Sequence, residues 1–346
     1  GLMASRLRRW LEGVWYEGRS GAALLAPLAA LFGVVSGLRR LAYRLGLRPR
    51  YRASVPVVVV GNLSVGGTGK SPVVAAVVDA LQRRGLRVGI LARGYGVELR
   101  EPREVVAGVT ASEVGDEPLM HALTTGARVV VCPDRAAGAR YLEGLGIDVI
   151  VADDGLQHYG LERDLEIVVI DASRGFGNRR LLPAGPLREP VARLASVDYV
   201  IINGGSSGHA DWVGRHGQLE LRLFPAATRR VDDPRQWRAL ESFRDQRIHA
   251  VAAIGNPQRF FNLLRQSGLE IEEHAFADHH AFAPADLAFE DGAAILMTSK
   301  DAVKCRSFAQ DRMWELPVTA RLSPDDGIAL IDRICALVAS HQKSHG

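Results

Sequence analysis

Short apolar runs alternate with helical stretches over most of the chain. Six of these runs are apolar at almost every position, and they lie at Val55–Val60, Val88–Leu91, Val129–Val131, Val149–Ala152, Ile167–Ile170 and Tyr199–Ile202. Such runs are typical of strands that are buried on both faces, as in a parallel sheet covered by helices. The pattern therefore predicts an α/β fold with a doubly wound, mostly parallel sheet.

The pattern changes near Gln218. Gln218–Leu223 alternates polar and apolar residues, as a half-exposed strand does, and a polar linker follows. A second α/β unit then has predicted strands at His249–Ile254, Leu269–Phe276 and Ala293–Met297, with a helix that ends near Gln266. We expect three segments: a basic, apolar N-terminal segment (1–52), a nucleotide-binding domain (53–225) and a smaller α/β domain (226–346).

The N-terminal segment is both apolar and basic. Gly21–Ser36 carries no charged residue, and residues 1–52 hold ten arginines and two glutamates, a net charge of +8. The whole chain is +4, so the remainder is −4. The run is slightly short for a bilayer span, which needs about 20 residues. It is interpreted as an interfacial anchor, with a single span or a helix packed on the globular body as alternatives.

The bulk composition excludes several classes of protein. Hydrophobic residues make up 47% and charged residues 24% of the chain, as in a globular protein. Because the positive charge is confined to the N-terminus, a nucleic-acid partner is not expected. The three cysteines, Cys132, Cys305 and Cys335, are widely spaced, which favours reduced thiols over a metal or disulfide framework.

A glycine-rich segment after the first apolar run is the strongest local signal. Val57–Val60 leads into GNLSVGGTGKSP at 61–72, and helical residues follow. Glycines let backbone N–H groups surround phosphate oxygens, the lysine reaches the β- and γ-phosphates, and the serine hydroxyl can bind Mg²⁺. The strict phosphate-loop consensus fails only at Ser64, where it has glycine. The predicted nucleotide-binding residues are Gly66, Gly67, Thr68, Gly69, Lys70 and Ser71.

A second signal is a pair of carboxylates at the end of a predicted strand. Asp153 and Asp154 end the apolar run at 149–152, about 80 residues after the glycine-rich segment. In phosphate-loop enzymes such a strand places an acid beside the metal ion, so we expect one of the two to hold Mg²⁺ directly or through water. The sequence does not show which of the two carboxylates binds the ion directly. The alternative is that both are turn or helix-capping residues.

Six segments in this order resemble those of the tetraacyldisaccharide 4'-kinase family, and they are GNLSVGGTGKSP (61–72), GDEP (115–118), ADDGLQH (152–158), RGFGNRRLLPAGPLRE (174–189), FADHHAF (276–282) and TSKDAVKC (298–305). The resemblance implies a P-loop NTPase-like kinase that transfers the ATP γ-phosphate to the 4'-hydroxyl of an acylated glucosamine disaccharide 1-phosphate, forming lipid IVA in lipid A biosynthesis. It also implies a monotopic enzyme at the cytoplasmic face of the bacterial inner membrane, with its site between two domains. We expect a monomer.

The resemblance further implies a catalytic pair. Asp116 would activate the 4'-hydroxyl, and His279 would tune or orient it. Taken alone, Asp116 fits a helix N-cap and His279 an ordinary surface or core histidine. Arg135 and Arg188 are candidates to hold phosphate, because forked guanidinium donors match its oxygens. Glu189 is a further candidate metal ligand, and no role is assigned to Lys300, Asp301 or Lys304.

Two other classes of function remain open. A membrane-associated GTPase or NTPase switch would share the phosphate loop and the basic anchor, although the chain lacks an Asn-Lys-x-Asp element at Thr298–Asp301. A soluble small-molecule P-loop kinase would share the catalytic core but would not need residues 1–50.

Overall fold

The structure is a computed structural model that describes residues 2–67, 69–205 and 208–345. Two helices come first, α1 (Leu2–Tyr16) and α2 (Ala22–Arg44). Helix α2 is long and apolar enough to cross a membrane, and little of its most apolar stretch is buried in the protein. Trp15 ties α1 to the globular body, because its indole N–H donates to the carbonyl of Pro183 at 2.9 Å.

The first lobe contains a large, mostly parallel sheet. Before the chain enters the second lobe, the helices and strands of the first lobe are β1 (Val57–Gly61), α3 (Lys70–Arg83), β2 (Val88–Ala92), β3 (Arg103–Glu104), α4 (Ala111–Val114), α5 (Asp116–Thr125), β4 (Arg128–Val131), α6 (Arg135–Gly144), β5 (Val149–Asp153), β6 (Leu165–Asp171), β7 (Tyr199–Asn203) and β8 (Gln218–Pro225). The strands β8-β7-β6-β1-β5-β2-β4 are parallel neighbours in that order. The predicted α/β class is confirmed, and all six predicted buried strands form within two residues of their expected bounds.

The large sheet is buried on both faces because its strands are apolar at successive positions. Val58 and Val60 of β1 point to one core, with Val74 and Val77 of α3. Val57 and Val59 point to the opposite core. Successive side chains of a strand point to opposite faces, so two such layers need unbroken apolar runs.

The second lobe, residues 226–317, contains a separate sheet. Its elements are β9 (Thr228–Arg230), β10 (Trp237–Arg238), β11 (Arg247–Ala252), α7 (Pro257–Gln266), β12 (Glu270–Ala275), β13 (Ile295–Thr298), α8 (Ser299–Cys305) and β14 (Met313–Leu316). The strand order is β10-β9-β14-β13-β11-β12. Strands β14, β13, β11 and β12 are parallel, and β9 and β10 add antiparallel pairs at one edge.

The chain then returns to the first lobe. The sequence pattern predicts one unit over 226–346, but β15 (Val318–Leu322) pairs antiparallel with β8, and α9 (Pro324–His345) places Leu330 and Ile334 in the core beside α3. Alternating apolar positions on β15 and an apolar stripe on α9 explain this return, because each needs an apolar partner surface. The division into domains stays a prediction.

Candidate active site

The phosphate loop connects β1 to α3, as the sequence predicts. Gly66 (φ 100°) and Gly69 (φ 84°) adopt left-handed backbone conformations, which glycine adopts without steric cost. The side-chain amide of Asn62 donates to the carbonyls of Ser64 (2.6 Å) and Gly66 (3.3 Å) and so fixes the start of the loop. The N-cap of α3 is Gly69, and among the described residues no side chain caps this helix. Its first N–H groups are therefore available to an anion.

Lys70 and Ser71 are the first two residues of α3, and both are half-buried. Gly67 lies in the loop just before them, while Thr68 lies outside the described residues. A Cβ at Gly67 would lie 3.2 Å from Cα of Gly255 in the second lobe. The two backbones are therefore in close contact, which brings the second lobe onto the phosphate loop.

The carboxylates predicted at the end of β5 lie beside this loop, because β5 is a parallel neighbour of β1. Asp154 (φ 52°) faces two cations: Nζ of Lys70 is 3.5 Å from its Oδ1, and Nη1 of Arg188 donates to both of its oxygens at 3.1 and 3.2 Å. Burial alone would raise the pKa of Asp154, but Lys70 and Arg188 outweigh it and hold this pKa well below its usual range.

Asp153 has a different environment. Its Oδ2 contacts Nε2 of His121 at 3.0 Å, and both side chains are buried. Its Oδ1 is buried and has no hydrogen-bond partner among the described residues. Burial acts to raise the pKa of Asp153, yet His121 and Lys70 bring it below its usual value, so the group is a carboxylate. His121 is not among the site residues predicted from the sequence, where its only signal is its place on the helix that begins with Asp116.

The hydrogen bonds of Arg135 are to main-chain carbonyls, and those of Glu189 are to neighbouring side chains. Arg135 is buried at the start of α6 and donates to the carbonyls of Leu91 and Asp153, each at 2.8 Å. Burial lowers its pKa to about 10, so it stays charged at neutral pH. Glu189 accepts hydrogen bonds from several side chains, and its partners are Gln157 (3.0 Å), Tyr159 (2.6 Å) and Arg40 of α2 (3.3 Å). These contacts connect Glu189 to the N-terminal helix α2, and its role as a metal ligand stays a prediction.

The structure brings Asp116 and His279 together across the two lobes. Asp116 is the first residue of α5, and Nδ1 of His279 lies 3.2 Å from its Oδ1. His279 has a left-handed backbone (φ 60°), and the ring of Tyr95 stacks on its imidazole with centroids 4.6 Å apart. Oδ2 of Asp116 is buried and makes no hydrogen bond within the described part of the chain. Gly115, not Asp116, is the N-cap of α5.

Two lysines of the second lobe also surround Asp116. Nζ of Lys300 lies 3.8 Å from Oδ2 of Asp116, 3.2 Å from Glu117 and 3.4 Å from Asp278. Nζ of Lys304 lies 3.9 Å from the same Oδ2. Burial would raise the pKa of Asp116, but the hydrogen bond to His279 and the charges of the two lysines outweigh it and lower this pKa to about 2. No role is predicted for these lysines from the sequence, because they lie 184 positions or more from Asp116 in the chain.

A second polar contact between the lobes lies beside the phosphate loop. Asp171, at the end of β6, accepts a hydrogen bond from the side-chain amide of Asn256 at 3.1 Å and forms an ion pair with Arg259. With the contact between Asp116 and His279, the second lobe therefore closes over the same edge of the large sheet at two places.

Comparison with known proteins decides the family. A model of the family described as tetraacyldisaccharide-1-P 4'-kinase matches residues 21–336. The chain belongs to the tetraacyldisaccharide 4'-kinase family. A member from Methylobacillus flagellatus is 44% identical over 336 residues, which cover 96% of this chain and 97% of that kinase. A member from Aeromonas salmonicida is 50% identical over 317 residues, which cover 90% of this chain and 92% of that kinase.

A solved structure of the family has the same fold. The crystal structure of LpxK from Aquifex aeolicus, described as in complex with ATP, superposes with a TM-score of 0.77 at 28% identity and covers 90% of this chain and 99% of that one. The family assignment made from the motifs is confirmed. Membership supports a lipid A 4'-kinase and neither a GTPase switch nor a soluble small-molecule kinase.

Proposed function

We propose that this protein transfers the γ-phosphate of ATP to the 4'-hydroxyl of tetraacyldisaccharide 1-phosphate and so forms lipid IVA. The observation that carries the proposal is the Asp116 carboxylate. One oxygen is held by His279 of the second lobe, and the other is buried without a hydrogen-bond partner among the described residues. An oxygen in that state can accept the proton of a hydroxyl group.

The phosphate loop and its neighbours would hold ATP. The backbone of Gly66–Ser71 and the start of α3 would bind the phosphates, and Lys70 would neutralise their charge. Asp154 holds Lys70 and Arg188 together, so both cations are already placed at the loop. Arg188 is proposed to steady the transferred group. Arg135, which binds the carbonyl of Asp153, is proposed to position the end of β5.

The residues also fit a magnesium ion. Asp153 has a buried carboxylate oxygen without a hydrogen-bond partner in the described ranges, whereas both oxygens of Asp154 accept from Arg188. We therefore propose that Asp153 and the hydroxyl of Ser71 would bind the ion directly. Asp154 would lie beside these ligands without binding the ion itself. The ion held there would supply positive charge that offsets the negative charge of the ATP phosphates during transfer.

The proposed base is weak, and phosphoryl transfer tolerates this. A pKa of about 2 keeps Asp116 ionised at every working pH, so it is always ready to accept a hydrogen bond. In a loose transition state the nucleophile bonds little to phosphorus, so orientation of the hydroxyl matters more than proton affinity. His279 would orient Asp116, and Lys300 and Lys304 would stabilise its charge.

Helix α5 connects the base to the proposed metal site. His121, which contacts Asp153, lies five residues after Asp116 on this helix. At 1.5 Å per residue the separation along the helix axis is roughly 7.5 Å. One rigid helix thus sets the distance between the acceptor hydroxyl and the ATP phosphates, and closure of the second lobe adds His279.

The N-terminal helices are proposed to hold the enzyme on the cytoplasmic face of the inner membrane as a monomer. Exposed apolar side chains cover one helix, and they include Leu24, Leu28, Leu31, Val34, Val35 and Leu38 of α2. Arg39, Arg40 and Arg44 follow in the same helix, where they can meet anionic headgroups. Because Arg40 also contacts Glu189, the anchor and the catalytic lobe are connected.

The direct test is transfer of radiolabelled γ-phosphate to the disaccharide acceptor in detergent micelles. We expect a labelled lipid product with ATP and far less with GTP, and slow hydrolysis of ATP when the acceptor is omitted. Rapid acceptor-independent hydrolysis with a preference for GTP would support a switch protein instead. Full activity on a soluble acceptor after deletion of residues 1–50 would support a soluble kinase.

A further inference from the structure

A group of metal-binding side chains lies on the second lobe, outside the site described above. His249 is on β11, and Glu272 and His274 are on the neighbouring edge strand β12. In the parallel register His249 is opposite Glu272, and His274 follows two residues later on the same face. One ligand atom from each of the three lies within 4.8 Å of the others.

The atoms that face one another are those that bind metals. Nδ1 of His249 lies 2.9 Å from Nε2 of His274. The carboxylate of Glu272 places one oxygen 3.9 Å from the first nitrogen and the other 3.9 Å from the second. Two imidazole nitrogens 2.9 Å apart match neighbouring positions, at about 90°, around an ion with metal–nitrogen bonds of about 2.05 Å.

An independent contact sets the protonation of His249. Its Nε2 lies 3.0 Å from both oxygens of Asp291, so this nitrogen carries the hydrogen. In the neutral ring the lone pair of Nδ1 then points at His274 and Glu272. A carboxylate that accepts from the far nitrogen of a histidine is the usual second contact of a metal-bound imidazole.

The surroundings hold the rings in place. His249 is buried, and the ring of Phe289 stacks on both imidazoles, with centroids 3.9 Å from His249 and 4.3 Å from His274. Glu272 and His274 are only half-buried, which leaves an entry path from solvent. Two nitrogens and one carboxylate suit Zn²⁺, Ni²⁺ or Cu²⁺, whereas Mg²⁺ and Ca²⁺ prefer all-oxygen sites.

We propose that His249, Glu272 and His274 form a binding site for a divalent transition metal, with Asp291 as the positioning residue of His249. A bound ion would fasten the edge strand β12 to β11. The site is separate from the proposed magnesium site, because β11 continues for three residues beyond His249, roughly 10 Å, before the turn that reaches Gly255, the contact with the phosphate loop.

The experiment is a titration of tag-free, full-length protein with ZnCl₂ in a buffer that contains Mg²⁺, followed by calorimetry and by metal analysis after dialysis. We expect one Zn²⁺ per chain. His274→Gln and Glu272→Gln should each weaken binding at least tenfold, and Asp291→Asn about 10- to 100-fold. His216→Gln is the control, because His216 also lies beside a carboxylate, Asp198, at 3.7 Å, but is exposed and outside the proposed site.

A second measurement guards against variants that fold poorly. Electron paramagnetic resonance of the Cu²⁺-loaded protein should show coupling to two imidazole nitrogens in the wild type and to one in His274→Gln, while circular dichroism checks folding. Unchanged Zn²⁺ affinity in the folded His274→Gln and Glu272→Gln variants would overturn the proposal. So would a wild type that retains no Zn²⁺ after dialysis, which would leave an ordinary hydrogen bond between the two histidines.

Discussion

Replacement of Asp116 by asparagine is the most informative single change, because it keeps the size of the side chain and removes its charge. Loss of a general base typically lowers a rate by about 10² to 10⁴. Since Asp116 is a weak base, we expect kcat to fall about 10²-fold, equivalent to about 3 kcal/mol of transition-state stabilisation. The KM for ATP should stay within about threefold, because the contacts of Asp116 described above are with His279, Lys300 and Lys304 of the second lobe.

The same variant should also change the stability of the protein, and the sign depends on pH. The pKa of Asp116 falls from an ordinary 3.8 to about 2, and each unit corresponds to 1.36 kcal/mol, so the native environment favours its ionised form by about 2 kcal/mol. Because the native pKa is depressed, this contribution is present above about pH 4 and is lost as the pH falls towards 2. The difference in free energy of unfolding between wild type and Asp116→Asn should shrink over that window.

The assays are γ-phosphate transfer in mixed micelles and urea unfolding at pH 7 and pH 3. Asp286→Asn is the control, because Asp286 contacts His280 at 3.0 Å in a similar carboxylate–histidine pair that is only half-buried. It should leave kcat unchanged. The assignment of Asp116 as base is refuted if Asp116→Asn transfers phosphate at a rate within about threefold of wild type while it remains folded and binds ATP.

Three further predictions concern the phosphate loop, the lysines and the anchor. Lys70→Ala should lower kcat by about 10² to 10³, as loss of one preorganised charge contact does, measured in the same assay. Lys300→Met removes the cation that Asp116, Glu117 and Asp278 share, so the free energy of unfolding in urea at pH 7 should fall by about 3 kcal/mol. Leu28→Gln with Leu31→Gln should weaken binding to anionic liposomes at least tenfold in a sedimentation assay, because each buried leucine contributes about 2 kcal/mol.

Each of these predictions has a control in the same chain. Lys343 is exposed on α9, and Lys343→Ala or Lys343→Met should change neither kcat nor stability. Val106 and Leu123 are exposed apolar residues outside the N-terminal helices, and their replacement by glutamine should leave liposome binding unchanged. Normal turnover in Lys70→Ala would remove that lysine from the site. Unchanged stability in Lys300→Met would show that its carboxylate contacts contribute nothing, and full binding by the double leucine variant would exclude α2 as the anchor.

The sequence predicts the central strands well because their signal is local. An unbroken apolar run such as Val57–Val60 is recognisable without knowledge of its neighbours, and the glycine-rich turn after it defines its end. The return of β15 and α9 to the large sheet has no such signal. Which sheet Val318–Leu322 joins depends on the free edge of β8, a tertiary property that no run of residues encodes.

The residues of the candidate site likewise differ in how far the sequence predicts them. Lys70, Asp153 and Asp154 belong to motifs whose chemistry follows from residue type and spacing. The contact of His279 with Asp116 came only from family resemblance, because the two residues are 163 positions apart. The placement of Lys300 and the buried pair of His121 with Asp153 could not be foreseen, since both depend on how helices pack across the sheet.

The return of the chain to the large sheet limits how the protein can be dissected. The two connections to the second lobe run side by side, with the N–H of Ala226 donating to the carbonyl of Pro317 at 2.9 Å. A truncation at residue 225 would therefore remove β15 and α9 as well, and it would expose the apolar side chains of α3 to water. A self-sufficient nucleotide-binding unit would have to join Pro225 directly to Val318, with the second lobe excised as an internal loop.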